Sequence, residues 1–164
     1  TRLDHDAAAA PNERTRETAR RDAARAYEDA LVAFEQAIEL EPEMYEAHTY
    51  IGYASRKLGR YERSLTAYET ALRLKPDYVR AIEYQGEAFL GLGHFESAKR
   101  NYLRLYALDA QQADKLLIAM RRWLDERQHD SHTSSQQDIA NAAAWLATRP
   151  STSASAQVNE SAPW

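Results

Sequence analysis

The sequence predicts an all-α fold built from repeated helical hairpins, and three observations carry that expectation. Pro42 and Pro76 lie 34 residues apart, and Gly52, Gly59, Tyr61, Tyr68, Ala71 and Pro76 recur 34 residues later as Gly86, Gly93, Phe95, Tyr102, Leu105 and Ala110. Six positions matched at one offset mark a unit that is used more than once. Leu58-Gly59-Arg60-Tyr61 and Leu92-Gly93-His94-Phe95 each read as a helix stop, a left-handed glycine and a restart anchored by an aromatic ring. Apolar residues elsewhere are spaced three and four apart, the period of a helix with one buried face.

Taken in order, residues 1–10 are expected to be flexible. From about Pro11 to Leu40, Ala19, Ala23, Ala26, Tyr27, Ala30, Leu31, Phe34, Ala37 and Ile38 keep helical spacing without a break, which predicts one long entry helix over 11–40. Between Asn12 and Ala24 the slots that a packed helix fills with apolar side chains hold Arg14, Glu17 and Arg21. That half is therefore expected to project as a charged rod, either simply solvated or serving as a docking or homo-oligomer helix. Its second half repeats a later pattern, with Ala30, Phe34, Ala37 and Pro42 in the slots of Ser64, Tyr68, Ala71 and Pro76. Two full repeats follow, over 45–78 and 79–112. Gly52 and Gly86 fall inside their first helices, where glycine costs about 1 kcal/mol against alanine, so something must need the missing side chain. The expectation is a close approach of the paired helices at the small residues Ser64 and Ala98. Pro42 and Pro76 end the second helices, because the residue before a proline avoids the helical region.

Residues 113–127 offer Leu116, Leu117, Met120, Trp123 and Leu124, a helix suited to cap the apolar side of the last repeat. A polar linker is expected over 128–137. Ser135 with Asp138 resembles a capping box, and Ile139, Ala142, Ala143 and Leu146 form the stripe of a short amphipathic helix over 138–149. Residues 150–164 are rich in Ser and Ala with little apolar content, the composition of a disordered tail.

The pattern from Tyr45 to Pro76 and from Val79 to Ala110 resembles the tetratricopeptide repeat, over roughly residues 24–125. The resemblance implies a right-handed α-solenoid of helical hairpins whose first helices line a concave groove. Two departures stand out: His48 and Ile82 replace the tryptophan common at the fourth repeat position, and Ala110 replaces the closing proline. The central wording, Ile51-Gly52-Tyr53 through Leu58-Gly59 and Glu83 to Ala88, is also similar to a group of small exported bacterial tetratricopeptide proteins. That second likeness favours a periplasmic or otherwise exported setting over a cytoplasmic one, although the cysteine pair often found in that group is absent, the chain having no cysteine.

In this family the concave side is lined by set positions of each first helix. Carried onto this sequence they are Glu46, Thr49, Tyr50, Tyr53, Arg56 and Lys57, then Arg80, Glu83, Tyr84, Glu87, Leu90 and Gly91, with Asp114, Leu117 and Arg121 contributed by the cap. The resemblance thus implies a non-catalytic adaptor or assembly module that takes a peptide or a partner helix in its groove. Tyrosines supply large amphipathic contacts, and mixed charges fix register. Tyr53 and Glu87 stand where the carboxylate-clamping members of the family need asparagine, which disfavours that mode.

Composition narrows the alternatives. A net charge of -4 and 28% charged residues give no basic stripe, so nucleic acid is not expected as a partner. With no cysteine, disulfides, thiolate catalysis and most structural zinc sites drop out. No run reaches the length of a membrane helix and none reads as a signal peptide. Enzyme chemistry is not expected: the carboxylates lie among arginines on helix faces, and Gly91 and Gly93 belong to a helix end rather than a phosphate loop. His129-Asp130-Ser131-His132 is the one stretch that could hold a metal, and as a polar linker without a third ligand it predicts no metal and no cofactor. His48 is expected to be a partly buried structural histidine. A self-assembling scaffold and a histidine-based metal-handling or enzyme accessory protein are the competing classes.

Overall fold

A computed structural model describes residues 13–129 and 136–149. Among these residues there are seven helices and no strand: α1 (Glu13–Leu40), α2 (Tyr45–Lys57), α3 (Tyr61–Leu74), α4 (Val79–Gly91), α5 (Phe95–Leu108), α6 (Ala110–His129) and α7 (Gln136–Ala147). Neighbours in sequence pack as antiparallel pairs, and α2, α4 and α6 also touch one another as an inner row. The outer row is α1, α3, α5 and α7. Such a two-row stack is what an α-solenoid of 34-residue hairpins builds.

The sharp turns are set by two glycines. Gly59 at φ 74° and Gly93 at φ 78° take the left-handed conformation that costs other residues most. The Arg60 N–H reaches back to Ser55 O at 2.8 Å and the His94 N–H to Phe89 O at 2.8 Å, which closes the helix ends α2 and α4 in the six-to-one pattern. At the other ends, α1 and α3 stop two residues before Pro42 and Pro76. His48 Nε2 lies 2.8 Å from Pro42 O, so this half-buried histidine fastens the turn to α2.

The mid-helix glycines have a different cause from the one the sequence led us to expect. A Cβ on Gly52 would lie 2.5 to 2.8 Å from the ring of Tyr68, and one on Gly86 would meet Leu116 of α6 at 2.5 Å. Each glycine is a notch for one large side chain, not half of a contact with Ser64 or Ala98. The filled notch is what makes Tyr68 and Leu116 fully buried.

Two cores result. A small one joins α1 to α2 through Leu31, Ile51 and Ala54. A larger one runs from α4 to α7 through Ile82, Tyr102, Leu105, Leu116, Leu117 and Met120. Asn101 crosses it with a polar bridge, its amide donating to Ile82 O at 2.9 Å and to Gln85 Oε1 at 3.0 Å. On the outer row α1 is tied to α3 by ion pairs of Glu28 with Arg60 and Glu35 with Arg63. Residues 13–23 are exposed throughout.

The C-terminal cap is longer than its stripe indicates. Helix α6 begins at Ala110, because Asp109 Oδ1 accepts from the Gln111 N–H at 3.0 Å and the Gln112 N–H at 3.1 Å, a side-chain cap on the first turn. It runs on to His129 and α7 already starts at Gln136, so helix takes both ends of the stretch expected as linker. Ser135 of the expected capping box, and the expected tail at 150–164, lie outside the described residues, as do residues 1–12. Trp145 of α7 packs edge-on against Tyr102 at 5.3 Å and Phe95 at 6.0 Å, with Lys99 and Arg149 over its ring. Among the described residues no helix is long and apolar enough to cross a membrane.

Candidate binding groove

Helices α2 and α4 present their inner faces side by side, and their aromatic residues, with two from α1, make a ladder of three rings beside a separate stacked pair. Tyr53 of α2 lies 5.0 Å from Tyr84 of α4, and Tyr27 of α1 meets Tyr53 edge-on at 6.0 Å. Phe34 of α1 stacks on Tyr50 at 5.1 Å. All five rings are half-buried: each keeps one side on the protein and one toward solvent. Rings of this kind offer contact area at small cost in side-chain entropy.

Charge is threaded through the ladder. The Arg56 guanidinium sits over both Tyr53, at 5.4 Å, and Tyr84, at 5.7 Å, and forms an ion pair with Glu87 across the α2/α4 contact. Burial works against the Arg56 charge, but Glu87 and the phenol of Tyr68 more than restore it, so the guanidinium stays above its usual value. Behind it, burial pushes the Tyr68 phenol well up, with Arg56 opposing. Arg80 Nη1 donates to Tyr50 Oη at 2.6 Å, and its side chain is exposed. Lys57 reaches to within 5.5 Å of the Tyr53 ring from the rim.

Not every expected groove residue presents itself. Thr49 is fully buried, with its hydroxyl donating to Tyr45 O at 2.9 Å, and so it stabilises α2 instead of facing a partner. Glu83 is 7% exposed, and burial raises its carboxyl above the ordinary range while Lys115 pulls it back. Glu46 is half-buried on the first turn of α2. From the cap, Leu117 and Asp114 are buried, and Arg121 turns away to donate to Arg149 O.

What α6 does contribute are Arg122, Trp123, Glu126 and Arg127. With Arg56, Lys57, Tyr61, Glu87, Leu90, Gly91 and Ala119 these line a cleft of about 530 Å³ where the last turns of α2 and α4 face α6. Four cations and two carboxylates surround it, so its field is positive although the chain is acidic. Arg122, Glu126 and Arg127 escaped the sequence reading because they occupy neither a first helix of a full repeat nor an apolar slot, whereas Tyr27 and Trp123 were read as packing residues of the entry helix and the cap. The spacing of Trp123 with Arg127 was the one signal available. Among the described residues no cluster of His, Cys, Asp or Glu could hold a metal ion, and the His129 side chain and His132 lie outside what is described.

Residues 18–79 match the family model described as Tetratricopeptide repeat, and no curated protein matches the chain.

Proposed function

We propose, from the premise that this chain carries tetratricopeptide repeats, that its inner face is a non-catalytic docking groove for a peptide segment or a helix of another protein. Such repeats generally mediate contacts between proteins. The observation that carries the specific reading is the stack of half-buried Tyr53 and Tyr84 with Arg56, which itself lines the positively charged cleft beside α6. An apolar or aromatic residue of the partner rests on the tyrosines, and an acidic residue two or three positions on enters the cleft. Glu87, held by Arg56, sets the orientation. This makes the protein an adaptor or assembly factor.

The test is a peptide library selected on the intact chain, followed by calorimetry of the best binder. Tyr53→Ala, Tyr84→Ala and Arg80→Ala are each expected to weaken it by about 2 kcal/mol or more, roughly thirtyfold. Arg73→Ala, on the exposed side of α3, is expected to cost under about 0.5 kcal/mol. Binding that survives all three groove variants removes the reading.

A further inference from the structure

Helices α3 and α5 each lie between two inner helices, α3 between α2 and α4 and α5 between α4 and α6, whereas α1 packs substantially on α2 alone. The same repeat slots record the difference. Ser64, Tyr68 and Ala71 on α3 are 0% exposed, and Ala98, Tyr102 and Leu105 on α5 are 0%, 3% and 0% exposed. Their counterparts on α1, Ala30, Phe34 and Ala37, are only half-buried. A helix-sized position beside α1 is therefore uncovered. The uncovered face extends both ways, through Ala19, Ala23, Ala26 and Ala33 to Leu40, which is 89% exposed. The full series 19, 23, 26, 30, 33, 37, 40 alternates four and three, the spacing of a helix seam that meets another helix along its length.

We propose that a second copy of this chain covers this face, with the two α1 helices running antiparallel. The occupant is argued from charge. Residues 13–26 carry five arginines against three acids, while 27–40 carry four acids and no base. Antiparallel pairing lays the basic half of each helix on the acidic half of the other, whereas parallel pairing sets like on like. Glu28 and Glu35 already bind Arg60 and Arg63 of α3, so Asp29 and Glu39 are the acids left to meet the partner's arginines. Opposed helix dipoles favour the same polarity. In the register that seats each rod on the other copy's open position, Ala19 faces Ala37, Ala23 faces Ala33 and Ala26 faces Ala30. The interface shares Phe34 with the groove but does not use Tyr53, Tyr84 or Arg56.

The test uses the full chain. Sedimentation equilibrium is expected to give twice the 18.7 kDa chain mass at high micromolar concentration. Ala19→Glu alters a fully exposed residue and leaves the fold alone, yet it is expected to raise the dissociation constant by about tenfold or more. Because the chain has no cysteine, single-cysteine variants read the polarity directly. A mixture of Ala19→Cys and Ala37→Cys is expected to cross-link on oxidation, whereas Ala19→Cys alone does not, its two copies being about 27 Å apart. A monomer at every concentration, self-linking of Ala19→Cys alone, or a dimer indifferent to Ala19→Glu would each overturn the proposal.

Discussion

At the scale of single residues, the notch glycines and one buried carboxyl carry the sharpest consequences. A methyl group on Gly52 would be driven into three ring atoms of Tyr68, a side chain with no exposed surface and nowhere to go. Gly52→Ala is expected to cost about 1 to 3 kcal/mol of overpacking against a gain of about 1 kcal/mol in helix propensity. It lowers the melting temperature, by about 2 to 4 °C for each net kcal/mol lost. Gly86→Ala meets the methyl end of Leu116 rather than a rigid ring, so its loss is expected to be the smaller of the two. Adding Tyr68→Leu to Gly52→Ala is expected to recover part of the loss, and a thermal melt of the four chains checks the series. Glu83 acts in the opposite direction. Burial raises its carboxyl in the folded chain, so in the pH window above the ordinary carboxylate range the native state holds a proton that the unfolded state has released. Stability then falls as pH rises through that window and is regained on acidification. Glu83→Gln is expected to melt higher than the parent at neutral pH, with the difference closing below about pH 4.

At the scale of elements, the repeat period carried most of what could be read. The turn glycines, the helix stops before Pro42 and Pro76, and the long entry helix are local rules written in a few residues each, and they were legible for that reason. The start of α6 was not, because Asp109 caps it one residue before the position where the repeat ordinarily closes with proline, held here by Ala110. The partners of Gly52 and Gly86 were not legible either. Sequence spacing says that a side chain is missing but not which neighbour fills the space. In the groove, Tyr53, Tyr84, Arg56 and Glu87 come together as neighbours, while Thr49 turned inward because a short β-branched hydroxyl can satisfy itself on its own helix. Helix α7 supplies a prediction of its own. It is held by the buried Ala142 and Leu146 and by Trp145, half-buried between two rings and two cations. Trp145→Ala is expected to cost about 2 kcal/mol, below the range for a fully buried tryptophan, and to expose α7 to early proteolysis.

At the scale of the whole molecule, the two cores are unequal. Leu31, Ile51 and Ala54 make up the buried apolar cluster that joins α1 to α2, against fourteen residues in the core that runs from α4 to α7. In a stack where each pair leans on its neighbours, the end with less burial opens first. Amide exchange is expected to be fastest in α1, intermediate in α2 and α3, and slowest in α4 to α6. Uniform protection across the helices would contradict this. The groove spans the boundary, with Tyr27 and Tyr53 on the weaker side and Tyr84 on the stronger. A partner that bridges them is therefore expected to protect α1 more than any other helix.

The distribution of aromatic types also divides the molecule optically. Trp123 and Trp145 lie on α6 and α7, near Phe95, while the ladder of the groove is made of tyrosine and phenylalanine alone. Emission from Trp123 and Trp145 thus reports on α6 and α7 and, through Trp123, on the cleft, while the tyrosines are spread from α1 to α5.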